Sequence, residues 1–467
     1  MNGSILAPNE ALSGGELQFK MHGKSGANLL DVTGTLPGAT EIEGAKLRLF
    51  VRGPNLARLF DFIGVAVPDT RYYRLHSNLT KRGIEWRFTN MNGGFGDSDV
   101  AGSMTISLPN DRLKLVADIS SRKVDIVDLG PFMGYNPQAL ATKGVTAAVK
   151  QTGGTPRLLP DAPLRIESIK IFDAHVNYRV ATVRAPHLPV SNIKLVLDLD
   201  HTLLKLSPLT FDMSGGHVAS DITIDARRKP VETAYDIRLS PTPMGRLLAG
   251  WGVEESGTSG SIAARIKMTG EGDTVRDSLA TSDGRMAIIL PRGTFWTRNI
   301  QLAEFDIGTF VQKMFQKKLK EPVQINCGLI AFTVRDGVAA ADPILIDTSK
   351  NVMLGRGGFS FKDESLNLSF RADAKKFSLF SGQSPVGING HFAAPGYSII
   401  SPQLLARAGA GVALGALAGP AAVLAFVDVG DTKSAACGPV LAGATAASQR
   451  TDKGRPRKDV GNGSPKK

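Results

Sequence analysis

The feature that most constrains this chain is an alternation of apolar and polar residues that recurs along most of its length. In an extended chain, Met104, Ile106 and Leu108 point one way, and the residues between them are polar. Such period-two alternation indicates strands of an antiparallel sheet that is covered on one face only. Similar runs follow at residues 113–119, 193–199, 209–213, 218–224, 330–334 and 366–370.

The composition suits many short strands joined by turns. Among 467 residues there are 51 Gly and 26 Pro, which favour turns and do not suit a bundle of long helices. Turn sequences such as SGG at 214–216, RDG at 335–337 and KDES at 362–365 separate successive alternating runs. We therefore predict a mainly β fold.

A second recurring pattern predicts short amphipathic helices after strand-like runs. Apolar residues recur at helical spacing in residues 53–64 and 240–252, and more loosely in 124–134. We interpret these helices as plugs that fill gaps at bends or ends of the sheet. A longer helix is predicted over 299–319, whereas 136–157 has no sustained pattern and is interpreted as a flexible loop or linker.

The C-terminal part of the chain has a different composition. Residues 408–427 form an uncharged run, rich in Ala and Gly, that is long enough to cross a bilayer. The run also contains Pro420 and few large apolar residues, so we favour a capping or interfacial helix over a membrane span. The tail over 431–467 is predicted to be disordered and basic, with seven Lys or Arg against two Asp after residue 449.

The formal net charge of +12 points to anionic partners, either nucleic acid or a membrane surface. Nucleic-acid binding relies on basic residues interleaved with exposed aromatic residues. Aromatic residues make up only 6% of this chain, and most of them occupy alternating or helical core positions. We therefore predict that the protein does not bind nucleic acid.

Known catalytic and metal-binding motifs were not found in the sequence. The seven histidines are scattered without metal-ligand spacing, and we expect His175, His201 and His217 to be solvated or hydrogen-bonded. Asp97 and Asp99 are interpreted as part of a turn rather than a calcium site. The two cysteines, Cys327 and Cys437, are far apart, and neither metal-ligand spacing nor a disulfide framework can be read from them. We predict that the protein is not an enzyme and uses no cofactor or metal.

Five phrases follow one another in a characteristic order. Residues 159–179 (LPDAPLRIESIKIFDAHVNYR) and 204–227 share one type of phrase, and 323–371 contains a Cys, an RDG turn and an Asp-Thr pair. Residues 384–399 and 426–430 complete the series. Together they resemble the C-terminal part of bacterial AsmA family proteins, and the resemblance covers nearly the whole chain to about residue 437.

The resemblance implies a protein that is anchored in the inner membrane of Gram-negative bacteria by an N-terminal helix and extends into the periplasm. The expected fold is mainly β: an elongated, curved antiparallel sheet that forms a U-shaped groove, with a few short amphipathic helices. No signal peptide or anchoring helix is recognised at the start of this chain. We therefore expect a truncated reading frame, a late start codon or one half of a split protein, with a membrane-anchored partner replacing the helix.

The predicted function is non-enzymatic lipid binding or transfer between the inner and outer membranes, in support of outer-membrane biogenesis. Because the few predicted helices cannot cover about 20 strands, a curled sheet leaves an apolar lumen where each buried CH₂ of an acyl chain gains about 0.8 kcal/mol. The alternative is a β-rich scaffold or assembly factor for outer-membrane proteins that carries no lipid. The candidate lining residues are Met104, Ile106, Leu108, Phe211, Met213, Val218, Ile222 and Ile224.

The predicted organisation follows these patterns. Strand repeats of the groove occupy 1–135, a linker follows over 136–157, and the C-terminal groove covers 158–400. An Ala/Gly-rich helix over 401–430 and a basic tail over 431–467 complete the chain. The expected partners are phospholipid and the inner or outer membrane, and the expected location is the cell envelope.

Overall fold

The structure is a computed structural model, and strands account for most of it. Nearly all of the strands belong to one sheet. The residues that the structure describes are 2–6, 17–38, 41–58, 69–130, 151–152, 155–164, 172–185, 190–249, 255–296, 322–349, 351–374 and 386–399.

The strands are mostly nine to thirteen residues long. In the first half of the chain they are β1 (Asn2–Leu6), β2 (Leu17–Ser25), β3 (Asn28–Leu36), β4 (Lys46–Gly53), β5 (Tyr73–Arg82), β6 (Glu85–Phe95), β7 (Ser98–Ser107), β8 (Leu113–Asp125), β9 (Gln151–Thr152), β10 (Thr155–Pro156), β11 (Phe172–Arg184), β12 (Val190–Asp200) and β13 (Leu203–Met213). In the second half they are β14 (Gly216–Asp225), β15 (Glu232–Pro243), β16 (Ser261–Glu271), β17 (Asp283–Leu290), β18 (Gly293–Phe295), β19 (Val323–Arg335), β20 (Val338–Thr348), β21 (Asn351–Ser360), β22 (Ser365–Ala374), β23 (Val386–His391) and β24 (Ala394–Ile399).

Helices in the described part of the chain are short. They are α1 (Ile126–Leu129), α2 (Met244–Leu248) and α3 (Val275–Ala280), with 3₁₀ turns at Pro109–Asp111 and Glu255–Gly257. α1 and α2 fall in the segments where short amphipathic helices are predicted. The third such segment is described only as far as residue 58, and its residues 57–58 are helical. The helix predicted over 299–319 lies outside the described residues.

The sheet follows the order of the chain with one interruption. Strands β1 to β8 pair successively, β8 then pairs with β11, and successive pairing continues to β24, with β17 and β18 lying end to end beside β19. All described neighbours are antiparallel except β8 and β11, which are parallel because the chain crosses back between them. Within that crossing, β9 and β10 form a separate hairpin inside the predicted linker. The predicted mainly β, curved antiparallel fold is confirmed.

Turn residues explain how the strands reverse so tightly. Asp336 and Gly337 both have positive φ, 45° and 71°, as do Ser214 and Gly215 at 52° and 83°. Two successive positive φ values are typical of the two-residue hairpin turns whose twist matches that of the strands. The RDG and SGG signals therefore mark hairpin turns, as the sequence predicts.

The strand ends form two long rims. The rim that we call the turn rim carries tight connections such as 201–202 and 336–337, together with α3. The opposite rim, the helix rim, carries α1, α2 and the tight turn at 214–215. All three segments with the repeated amphipathic pattern meet the sheet at the helix rim, because each follows a strand that runs in the same direction.

Candidate functional site

One face of the sheet carries an apolar side chain at almost every step from strand to strand; we call it the apolar face, and its opposite the reverse face. The register of the strands shows that the apolar face is continuous, because aligned residues in neighbouring strands lie on the same face. One row across seven strands, from β13 to β20, consists of Phe211, Val218, Leu239, Ala264, Ile288, Ile330 and Ile344.

The structure places most of the predicted lining residues on this face. Met104 and Ile222, 118 positions apart, pack against the same buried cluster, to which Ile224 belongs. Ile106 lies opposite Leu115 of that cluster. Of the other predicted lining residues, Phe211 lies opposite Val218 in the neighbouring strand, and Met213 lies opposite Gly216. Leu108 differs, because it follows the end of β7 and is 52% exposed.

Burial varies along each strand of the apolar face. Near the turn rim, Leu115 and Ile224 are buried, and near the helix rim Val180 and Met244 are buried. Between these ends, most of the large apolar side chains remain half-buried or exposed, although Val218, which is aligned with Phe211, is buried. Members of this middle stripe are Met104, Ile119, Tyr178, Leu195, Leu206, Leu209, Phe211, Ile222, Ile237, Ile266, Met286, Ile288, Ile330 and Phe332.

A strap of residues 157–164 covers the apolar face at the turn rim. Its Leu164 packs in the cluster of Leu115 and Ile224, and its Leu159 packs in a second cluster around Met268 and Val334. Helix α3 lies beside the strap and contributes one apolar side chain to each cluster. The strap and α3 therefore close the apolar face along this rim.

A buried ion network holds the strap in place. Glu364, which is 1% exposed, accepts hydrogen bonds from the backbone amides of Leu158 at 2.6 Å and Leu159 at 3.2 Å. Arg276 of α3 donates to the Leu159 carbonyl at 2.7 Å and forms a salt bridge with Asp161 at 3.0 Å. Charged groups of opposite sign thus satisfy each other where burial would otherwise be costly.

A second network fixes α1 at the helix rim. Asp125 caps the helix by accepting a hydrogen bond from the Val127 amide at 2.9 Å. The buried side chain of Asp128 accepts from Arg71 Nε and Ser98 Oγ, both at 2.6 Å. The hydrogen bond with Asp128 raises the pKa of Arg71 above its already high ordinary value. Asp128 also accepts a hydrogen bond from the backbone amide of Asp97 at 3.0 Å, which ties α1 to the turn between β6 and β7.

The reverse face of strands β5 to β14 is polar and bears a cavity of about 1450 Å³. Its lining includes Arg179 and Arg122, which pair with Asp118 and Asp99, as well as His217, hydrogen-bonded at 2.8 Å to an Asp of β13. The cavity is thus lined by paired charges rather than by the predicted lining residues. We assign the candidate site to the apolar face instead.

The scattered histidines are engaged in hydrogen bonds, as the sequence predicts. His175, His201 and His217 each contact a nearby carboxylate. His201 also lies close to Asp173 and Asp200, an arrangement whose donor atoms could hold a metal ion. Arg112 donates a hydrogen bond to each carboxylate oxygen of Asp173. These hydrogen bonds are the main cause that holds the pKa of Asp173 below its usual range.

The carboxylates of Asp97 and Asp99, at the predicted turn, also form hydrogen bonds with other protein groups. Asp97 pairs with Arg71 at 2.9 Å, and that hydrogen bond is the main cause that lowers the pKa of Asp97. Asp99 accepts hydrogen bonds from the backbone amides of Arg122 at 3.2 Å and Lys123 at 2.7 Å. These carboxylates link neighbouring strands of the sheet.

Sequence reasoning missed the strap, α3 and the middle stripe of β17. Thr274 caps α3 by accepting from the Asp277 amide at 3.1 Å, so the Thr-x-x-Asp spacing was a usable helix-start signal. Met286 and Ile288 were not predicted, because residues 286–290 of β17 are all apolar, which hides the alternation. For the described part of the chain, none of the helices has the length and apolar character needed to cross a membrane.

Comparison with known proteins gives one family. The family model described as "AsmA family" matches residues 39–341. The "AsmA family protein YhjG" of Escherichia coli (strain K12) is 25% identical over 431 residues, which cover 90% of this chain and 62% of that relative. This chain therefore spans less than two thirds of the relative's length. No solved structure matches the chain.

Proposed function

The chain belongs to the AsmA family, and from this premise we propose that it is a lipid-binding or lipid-transfer protein of the Gram-negative cell envelope. Family membership supports an association with the envelope. In the proposal, the acyl chains of phospholipids lie along the middle stripe of the apolar face. The protein holds or moves them between the inner and outer membranes without catalysing a reaction.

The observation that carries this proposal is the incomplete burial of the middle stripe. A folded soluble protein ordinarily buries large apolar side chains that lie in one contiguous surface. Here Ile288 is 37% exposed and Ile222 is half-buried, although both lie within the apolar face. Covering such side chains with an acyl chain gains about 0.8 kcal/mol for each buried CH₂.

The dimensions of the sheet agree with a path for lipid. Twenty-one strand positions, with β17 and β18 counted as one, give twenty spacings of about 4.8 Å, or roughly 95 Å along the sheet. The middle stripe extends from β7 to β19, which is nine of these spacings or roughly 43 Å. The row of aligned residues through Ile222 continues from β1 to β24 without a charged side chain. Hydrophobic contacts are non-directional, so an acyl chain can slide along the apolar face, because each step replaces one set of contacts with an equivalent set.

The alternative function is a scaffold or assembly factor for outer-membrane proteins that carries no lipid. The strap and the helix-rim network give the sheet rigid borders, which a scaffold also needs. A scaffold, however, has no use for exposed apolar side chains along the middle of its strands. The open stripe therefore favours the lipid proposal.

The test compares two neighbouring residues on opposite faces of β14. A photoreactive amino acid replaces Ile222, on the apolar face, or Thr223, which aligns with Lys205 and Ala234 on the reverse face. Expressed in a Gram-negative host and irradiated, the variant at 222 is expected to form phospholipid adducts detectable by mass spectrometry. The variant at 223 is expected to form none.

The same preparation without a photoreactive residue is extracted and analysed for co-purifying phospholipid. Phospholipid in the extract together with adducts at 222 supports the proposal. A folded protein that purifies without phospholipid and gives no adduct at 222 replaces it with the scaffold function. Adducts of equal yield at both positions also contradict it, because they indicate adsorption to both faces.

A further inference from the structure

The reverse face changes character in the second half of the sheet. On strands β16 to β20 it carries a cluster of apolar side chains, each 3% exposed or less, which we call the reverse cluster. Its members are Ala263, Ala287, Ile289, Cys327, Leu329, Ala331 and Leu345. Near the helix rim these strands are thus apolar on both faces, unlike β7 to β15, whose reverse face is polar.

The described residues around the reverse cluster do not account for its near-complete burial. Among the described apolar residues, those packed against it are Val352 and Leu354, which belong to the neighbouring strand of the same sheet. A strand in the plane of a sheet does not shield the face of its neighbours from water. Near-complete burial therefore requires a segment that lies over this face.

The bonding state of one cysteine identifies the covering segment. Cys327, at the centre of the reverse cluster, is disulfide-bonded. The chain contains two cysteines, and the second is Cys437. We propose that a disulfide between Cys327 and Cys437 fastens the C-terminal segment, residues 401–437, over the reverse cluster.

The length of the intervening chain fits this assignment. β24 ends at Ile399, and five strand spacings of about 4.8 Å separate β24 from β19, which amounts to roughly 24 Å. The uncharged run 408–427 is 20 residues long, and as a helix it would extend about 30 Å. The segment can therefore return from the last strand across the sheet and bring Cys437 to β19.

The composition of the segment fits an apolar surface. Residues 408–427 contain no charged side chain and are rich in Ala and Gly, which allow close approach to a sheet. The same run has the length of a membrane span, but a bond at Cys437 keeps its C-terminal end against the protein. The proposal therefore assigns 408–427 to the reverse face.

Forming the bond is an oxidation. Two thiols lose two protons and two electrons to a disulfide of the surroundings, which is reduced to two thiols by exchange. Such a bond persists in an oxidising compartment and not in a reducing cytosol. The inference thus makes the stable attachment of the C-terminal segment dependent on export, independently of whether the apolar face binds lipid.

The bond itself is tested by mapping thiols in the full chain, purified after export to an oxidising compartment. Without reductant, denatured protein is alkylated and digested with trypsin, which places Cys327 in residues 321–335 and Cys437 in residues 434–450. The expected product is one linked pair of these peptides with no alkylated cysteine. Alkylation of Cys327 without reductant, or a bond between two copies in isotope-mixed protein, overturns the proposal.

The position of the segment is tested by a diazirine side chain at Val352, at the border of the reverse cluster, with Ile288 on the apolar face as the control. Adducts from Val352 to residues 401–437, absent from Ile288, are expected. Adducts from Val352 to 297–321 instead overturn the assignment of the occupant. Lipid adducts at Ile222 are scored separately, so a failure here is distinguishable from a failure of the proposed function.

Reduction supplies a third readout. Dithiothreitol is expected to lower the thermal midpoint of the wild type by several degrees and to leave that of Cys437→Ser unchanged. The variant in oxidising buffer is expected to melt where the reduced wild type does. A wild type whose midpoint is insensitive to reductant contradicts the inference.

Discussion

Ile288 and Ile289 are neighbours in β17, yet 37% of Ile288 is exposed on the apolar face and only 2% of Ile289 is exposed on the reverse face. The two side chains are chemically identical and lie on the same strand. Their difference therefore reflects what covers each face rather than any local preference of the sequence. At this strand the reverse face is a closed core, and the apolar face is an open surface.

The first prediction uses this pair. Ile288→Asp is expected to keep the fold, because its carboxylate remains hydrated, and to reduce co-purifying phospholipid several-fold. Ile289→Asp places an unpaired charge in a closed core and is expected to lower the free energy of unfolding by about 4 kcal/mol or more. Urea denaturation and lipid mass spectrometry measure the two effects.

Ile288→Leu and Ile289→Leu are the matched controls, and each should cost about 1 kcal/mol or less. If Ile288→Asp unfolds the protein as severely as Ile289→Asp, the apolar face is a core and the open-surface interpretation is wrong.

The strand pattern was readable from the sequence because alternation is local. Residues 193–199 and 218–224 alternate and become parts of β12 and β14. The strap was not readable, because its position depends on Glu364, which lies 206 residues after Leu158. The parallel pairing of β8 with β11 has the same origin in distant contacts.

The candidate site was partly readable for a related reason. Ile222 and Ile224 stand out because their neighbours are polar, whereas Ile288 lies in a run that is apolar on both faces. A register shift between Leu206 and Leu209 also keeps both on one face, although their spacing alone would place them on opposite faces. Leu108 was selected by continuing the alternation past the end of its strand.

The second prediction concerns the strap. Glu364→Gln replaces one acceptor oxygen with an NH₂ group that faces a backbone amide and removes the charge beside Arg276, 3.9 Å away. Unfolding free energy should fall by about 2–4 kcal/mol, and proteolysis should begin within residues 157–164. The control is Lys362→Gln, which breaks an exposed ion pair with Asp336 and should cost about 1 kcal/mol or less. Equal losses in both variants would show that the buried network contributes no more than a surface pair.

The third prediction concerns close strand contact at Gly102. Its φ is 150°, and a Cβ there would lie 2.1 Å from the carbonyl oxygen of Asp118. Gly102→Ala is therefore expected to lower the free energy of unfolding by about 2 kcal/mol or more, measured by urea denaturation. Gly23→Ala is the control, because its Cβ would meet Leu30 at an ordinary 3.5 Å and should change stability by less than about 1 kcal/mol. A tolerated Gly102→Ala would show that β7 and β8 separate easily.

The last prediction concerns acid. Burial raises the pKa of Asp236, but the hydrogen bonds from Arg265 and Arg238 lower it by more than burial raises it. The pKa is therefore about 2, below the ordinary 3.8. Because the pKa is lower in the folded state, this carboxylate stabilises the fold above about pH 4, and the contribution is lost as the pH falls to about 2. The contribution at neutral pH is about 2 kcal/mol at most, since the side chain is 18% exposed.

Asp236→Asn should therefore lower the free energy of unfolding at pH 7. The difference in this free energy between variant and wild type should shrink as the pH falls from 4 to 2. Urea denaturation at a series of pH values measures that difference, which cancels the acid response of the other carboxylates. A difference that stays constant over this range would mean that the two arginines do not hold Asp236 in its ionised form, and that the reverse face of β15 and β16 is stabilised by packing instead.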